Sequence, residues 1–243
     1  QRTKIETEPL EKILLSGKYT GSDLVHALKT AAIVLDATEH RLIEAHRRPA
    51  FIKVMQEALI DGKLKFKTVD DPTSHASYVW TDSHDKKGNV KSEGNTLCLP
   101  LNGIDLDDTK ERAYVIHEMQ HVVQDAFKQS GSRYKFEAQG HHAFAEYLMR
   151  SEGVVMEADG HEISVDVKKA WTVWGDIDQL KRRFDAPDVF MIKTVIANEL
   201  RNMLARRDRL TEDDNNFLEM MKRPEESFED VYQVVTKPQG QTD

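Results

Sequence analysis

Apolar residues recur at three- and four-residue spacing over most of this chain and give way to short strand-like runs in three places, a pattern that predicts mostly helix with a little sheet. Leu24, Leu28, Ala31, Leu35, Leu42 and Ile43 mark one face of a helix opened by Ser22-Asp23 and running to about residue 47, where Pro49 breaks it. A second helix is expected over about 50–60, closed by Asp61-Gly62. Residues 63–69 alternate polar and apolar like a half-buried strand, and 75–80 and 95–101 read as two more strands around the turn-rich stretch 81–89. Asp107-Asp108-Thr109 opens the next helix, which runs to about Phe127 before the break at 129–132. From His142, the positions Phe144, Tyr147, Leu148, Val154, Val155 and Ala158 predict another helix, interrupted at Gly153 and stopping near Gly160. Further helices are expected around 167–174, 177–184, 187–210, 211–222 and 224–235, followed by a disordered tail over 237–243. The fold class expected is α+β, mostly α, arranged as an N-terminal helical segment over 1–62, a core over 63–160 and C-terminal helices over 161–236 in a single compact domain.

Composition narrows the function classes. Hydrophobic residues at 39% and charged residues at 31% describe a soluble globular chain, and no apolar run approaches the roughly 18–20 residues that cross a bilayer, so no integral membrane segment is expected. A net charge of −8 argues against a nucleic-acid partner, which would call for a clustered basic face. Lys181-Arg182-Arg183 and Arg206-Arg207 lie in helical segments rich in acids and read as solvated faces. Cys98 is the lone cysteine, which excludes a disulfide framework and leaves the compartment open between cytoplasmic and secreted or injected; the oligomeric state is equally open.

The chemistry concentrates in His117-Glu118-Met119-Gln120-His121, a His-Glu-x-x-His run inside the strongest helical stretch. Histidines four apart stand one above the other on a helix and can present nitrogens to one zinc ion at about 2.0–2.1 Å. Glu118, one step round, is placed to act as general base without being a ligand. Tyr114, Val115, Ile116, Met119, Val122, Val123, Ala126 and Phe127 supply a broad apolar stripe that would bury such a helix, and Asp125 lies one turn beyond His121 as an acceptor for an imidazole N–H. The strand at Thr96–Leu99, just before this helix, is a candidate sheet edge along which an extended substrate could lie.

Two histidines leave a catalytic zinc short of one protein ligand, expected from the segment that follows. Glu157-Ala158-Asp159 resembles the Glu-Ala-Asp found downstream of the same motif in an uncharacterised family of bacterial metallopeptidase-like proteins and, loosely, in membrane-associated zinc peptidases. In the membrane-associated group the ligand stands four positions before the Asp, which here is Val155, so the two-residue spacing is the one that applies. His117 through Gln124 is similar to the His-Glu-x-x-His-Val-Val-Gln stretch of a group of small bacterial zincin-like domains. Together these resemblances, confined to residues 95–160, imply a gluzincin-type zincin with a metal-binding helix pair, with Glu157 as the zinc ligand and Asp159 in support. If residues 128–140 form a reversing loop, the helix after it would favour Glu146 or Glu152 instead, and His141, His142 and His161 are further alternatives.

A His, His, Glu site implies hydrolysis of a peptide or protein substrate, with Zn2+ as cofactor, Glu118 as catalytic base and Tyr147, Arg150 or the His141-His142 pair as candidate oxyanion donors. An amidase or peptidoglycan hydrolase would use the same constellation, and a zincin-shaped binding or scaffold module would keep the fold without turnover. A bacterial effector or toxin role is compatible with all of these.

Overall fold

The computed structural model describes residues 7–39, 54, 57–70, 75–158, 162–179, 186–207 and 209–220. It is an α+β fold, mostly α. The chain divides into two compact units, one ending at Gly131 and the other beginning at Ser132. Among the described residues no helix is long and apolar enough to cross a membrane.

In the first unit, helix α1 (Thr7–Leu15) packs on α2 (Gly21–Glu39), and a helical turn at 57–60 leads into the sheet. The expected continuation of α2 to residue 47 and most of the 50–60 helix lie outside the described residues. Strands β1 (Lys65–Val69), β2 (Ser77–Val79) and β5 (Thr96–Pro100) form the sheet in the order β1-β5-β2, with β5 parallel to β1 and antiparallel to β2. The three predicted strands are therefore present, but β5 is the central strand, paired on both sides. It cannot serve as the edge for an added substrate strand, because its backbone donors and acceptors are already spent.

A short hairpin, β3 (Ser83–His84) with β4 (Val90–Ser92), interrupts the stretch predicted as turn. Asp85 makes it: its Oδ1 accepts from the backbone N–H of Lys87 at 2.8 Å and of Asn89 at 2.9 Å, folding the loop tip onto one side chain. Leu97 and Leu99 of β5 share one fully buried face, and α2 and helix α3 (Thr109–Ala126) both pack against the sheet. Ala27, Ile33 and Val34 of α2 and Ile116 and Met119 of α3 are likewise almost fully buried.

The second unit opens with α4 (Arg133–Ser151), longer at its start than the pattern from His142 predicts; the Ser132 side chain caps it by accepting from the Lys135 N–H at 3.3 Å. Its end corrects a larger expectation. The helix does not run through Gly153 to Gly160. Gly153 takes φ +68°, its N–H bonds the Arg150 carbonyl at 3.1 Å, and the Val154 N–H bonds the Met149 carbonyl at 2.8 Å, a left-handed stop that satisfies two orphan carbonyls. The chain then extends as β6 (Val155–Ala158), paired antiparallel with β7 (Glu162–Val165), where the sequence had suggested only helix. The β-branched pair Val154-Val155 directly after the glycine favours that outcome.

Helix α5 (Val167–Gln179) runs unbroken across the gap expected at 175–176, and α6 (Ala186–Leu204) and α7 (Glu212–Met220) follow. Their contacts, α4 with α6 and α5 with both α6 and α7, enclose a second core that includes Phe144, Tyr147, Ile192, Leu200 and Phe217. Thr211 and Asp214 cap α7 reciprocally: the Asp214 N–H donates to Thr211 Oγ1 at 3.1 Å and the Thr211 N–H to Asp214 Oδ2 at 2.9 Å. Arg207 meets both Asp214 oxygens at 2.8 and 2.9 Å and donates to the Val165 carbonyl at 2.7 Å, tying β7 to α7. The helix expected at 224–235 and the tail lie outside the described residues.

Candidate metal centre

Helix α3 places the predicted trio. It starts at Asp108, an N-cap in extended backbone conformation whose side-chain Oδ1 accepts from the Lys110 and Glu111 N–H groups at 2.9 and 3.3 Å. From there the register is fixed, and Tyr114, His117, Glu118, His121 and Gln124 are all buried along with the apolar stripe. His117 is 3% exposed, Glu118 6% and His121 4%, which is unusual for side chains of this polarity and calls for a compensating partner.

The two rings stand edge to face, with centroids 4.8 Å apart, and turn their Nε2 atoms toward each other at 3.1 Å. Glu118 Oε1 lies 3.8 Å from His117 Nε2. One ligand atom from each of the three residues falls within 4.8 Å of the others. Tetrahedral zinc at 2.0–2.1 Å from each nitrogen would hold the pair about 3.3–3.4 Å apart, so the spacing matches a shared ion to within a few tenths of an ångström. Imidazole nitrogens, with a carboxylate just beyond, are also the donor chemistry zinc takes. The residues therefore fit a metal ion, and these buried His and Glu groups could hold one.

Aromatic rings pack on both histidines. Trp80, just after β2, lies 5.7 Å from the His121 ring, and Tyr114 stacks on His117 at 5.9 Å with His75 a further 4.6 Å away. Such walls exclude water from the nitrogens and fix ring orientation.

The partner expected for an imidazole N–H is a different residue. His121 Nδ1 faces Gln124 Oε1 at 2.8 Å, whereas Asp125 accepts the Tyr78 hydroxyl at 2.7 Å. Positions 124 and 125 both neighbour 121 on a helix, so spacing alone favoured neither. What decides between them is β2, which brings Tyr78 to Asp125 and engages it. Burial, the bond to Asp125 and the negative charge there hold the Tyr78 phenol far above its ordinary 10. Gln124 carries its own sequence signal: it is a polar residue one turn beyond His121 on the face that His117 and His121 share.

The downstream candidates belong to the second unit. Glu157 sits on β6, opposite Ile163 in register; its side chain, Asp159 and His161 are outside what the structure describes. Glu152 is the exposed C-cap residue of α4. His142 Nδ1 is 3.5 Å from Glu146 and its Nε2 is 2.9 Å from Glu199 on α6, so His142 and Glu146 engage one another. His141 and Tyr147 are buried on α4, and Arg150 is half-buried in its last turn. Comparison with protein families, with curated proteins and with solved structures finds no match to this chain.

Proposed function

We propose that this chain is a zinc-dependent hydrolase acting on peptide bonds, with His117 and His121 as ligands and Glu118 as general base. The observation that carries the reading is the buried pair of Nε2 atoms 3.1 Å apart with a carboxylate oxygen 3.8 Å away, all on one helix. Zinc, when bound, supplies Lewis acidity and an activated water. Glu118 accepts the proton of the attacking water and returns it to the departing amine, a task suited to a carboxylate beside, and not on, the ion. Burial keeps bulk water from competing for that proton. The third ligand in this proposal is Glu157, on the strength of the Glu-Ala-Asp resemblance, and Glu152, Glu146, His141, His142 and His161 are its competitors.

A second reading rests on the same distance. At 3.1 Å one imidazole N–H can donate directly to the other ring, which would pair the two buried Nε2 atoms with no metal and leave a binding or scaffold module. Metal content of protein purified without chelator separates the two: about one zinc per chain, lost in His117→Ala/His121→Ala, supports the enzyme reading, and its absence sinks it. Glu157→Ala should then weaken zinc binding while Glu152→Ala leaves it unchanged. Catalysis is tested by Glu118→Gln, which keeps size and zinc but cannot take the proton. Cleavage of a diverse peptide library should fall 10²–10⁴-fold, on the order of 3–5 kcal/mol in activation free energy. Equal cleavage by the Gln variant would remove Glu118 from the mechanism, and an amidase would show itself by sparing peptides while cutting non-peptide amides.

A further inference from the structure

The hydrogen-bond pattern inside α3 divides the labour between the two histidines. A neutral imidazole carries one proton, on either Nδ1 or Nε2, and only the bare nitrogen can hold a metal ion. The Gln124 side chain turns its carbonyl oxygen to His121 Nδ1 at 2.8 Å, and a carbonyl oxygen can only accept. That contact is a hydrogen bond when the His121 proton is on Nδ1, which leaves Nε2 bare. In the ion-free protein the 3.1 Å contact between the two Nε2 atoms then has one consistent assignment: His117 Nε2–H donates to His121 Nε2. Resting on the zinc reading above, we propose that Gln124 is a positioning residue that sets His121 permanently in its metal-ready tautomer, so that zinc uptake requires a proton shift at His117 alone.

Several features of the molecule support this division. Gln124 is fully buried, three residues after His121 on the same helix, so the bond is set by local helix geometry. The carboxylate that competes for the role, Asp125, is engaged by Tyr78 and so does not pull on the imidazole. An amide carbonyl orients the ring as a carboxylate would and supports its donor strength toward a metal. Trp80 packs against the same ring, with centroids 5.7 Å apart.

The test uses the full chain at pH 7.5, native, Gln124→Met and Gln124→Glu. Methionine keeps length and volume without a carbonyl acceptor, and glutamate restores an oxygen. Long-range nitrogen–proton NMR of the histidine rings reads each tautomer. Metal-free native protein should show His121 protonated on Nδ1 and His117 on Nε2, and zinc should move the His117 proton to Nδ1 without changing His121. Competition with a chromophoric chelator should show zinc bound 10- to 100-fold more weakly by Gln124→Met and recovered by Gln124→Glu. Far-UV circular dichroism of the metal-free forms checks that α3 stays folded; if Gln124→Met unfolds, the native tautomers decide the question. His121 protonated on Nε2 in the metal-free native protein, or a folded Gln124→Met that binds zinc as tightly as native, overturns the proposal. Native protein that takes up no zinc overturns the hydrolase reading instead, and the tautomer of His121 still stands as measured.

Discussion

Removing one hydroxyl, in Tyr78→Phe, tests how the sheet holds the helix that carries the histidines. Tyr78 is 9% exposed, and its hydroxyl donates to Asp125 at 2.7 Å, a charge-assisted bond between β2 and α3. Such bonds contribute about 1.5–3 kcal/mol, and because Asp125 is half-buried and regains some water when the hydroxyl is lost, the expected cost is about 1.5–2 kcal/mol at pH 8. The cost should depend on pH with a definite sign. The folded phenol is held well above 10 by burial and by Asp125, while in the unfolded chain it ionises at its ordinary 10. This group's contribution is complete below pH 10 and is lost as pH rises beyond it, by about 1.4 kcal/mol at pH 11, whereas phenylalanine has nothing to ionise. The gap between native and Tyr78→Phe should therefore nearly close between pH 8 and 11. Urea unfolding of the metal-free protein, followed by Trp80 in a Trp171→Phe/Trp174→Phe background, is a local readout because the Trp80 ring lies 6.1 Å from Tyr78. Equal unfolding midpoints at pH 8, or a gap that stays constant up to pH 11, would refute the reasoning.

In the second unit, Asp214→Ala removes both a cap and the partner of Arg207; since Asp214 is 1% exposed, the loss should reach about 3–5 kcal/mol, less whatever Arg207 recovers from water, and calorimetry should show it as a lower Tm. Glu199→Gln should destabilise the unit by about 1 kcal/mol near neutral pH, because the His142 hydrogen bond holds the Glu199 carboxyl below its ordinary 4.5 against the opposing effect of burial. That advantage exists above the unfolded value and disappears as pH falls through the lower folded one, so native and Glu199→Gln denaturation curves should converge as the pH is taken down from the ordinary 4.5, and curves that stay separated throughout the acid range would contradict the assignment.

What could be read from the sequence was whatever depends on near neighbours. The His117, Glu118 and His121 cluster follows from helical spacing alone, and β1, β2 and β5 each carry their own strand signal. Strand order does not, since nothing within residues 96–100 says that both β1 and β2 will choose it as partner. The end of α4 has a local cause: Val154 and Val155 continue an apolar helical period, and the left-handed turn at Gly153 turns them into a strand. Asp125 was assigned to an imidazole because helical geometry permits it, and was taken by Tyr78, some 47 positions away in sequence. Strand order and the partner of Asp125 are set by long-range contacts that override a correct local preference, whereas the end of α4 is set locally at Gly153.

The order β1-β5-β2 also sets a schedule for folding. β1 and β2 emerge first during synthesis but do not pair with each other; both wait for residues 96–100. No part of this sheet can form before residues 96–100 are made, and the parallel β1–β5 ladder must close a loop of some 30 residues. The helix with the two histidines is the next element made, so α3 emerges onto a sheet that has only just become possible. Leu97 and Leu99, on the strand that closes both ladders, are thus positions where a substitution slows assembly as well as weakening the finished core.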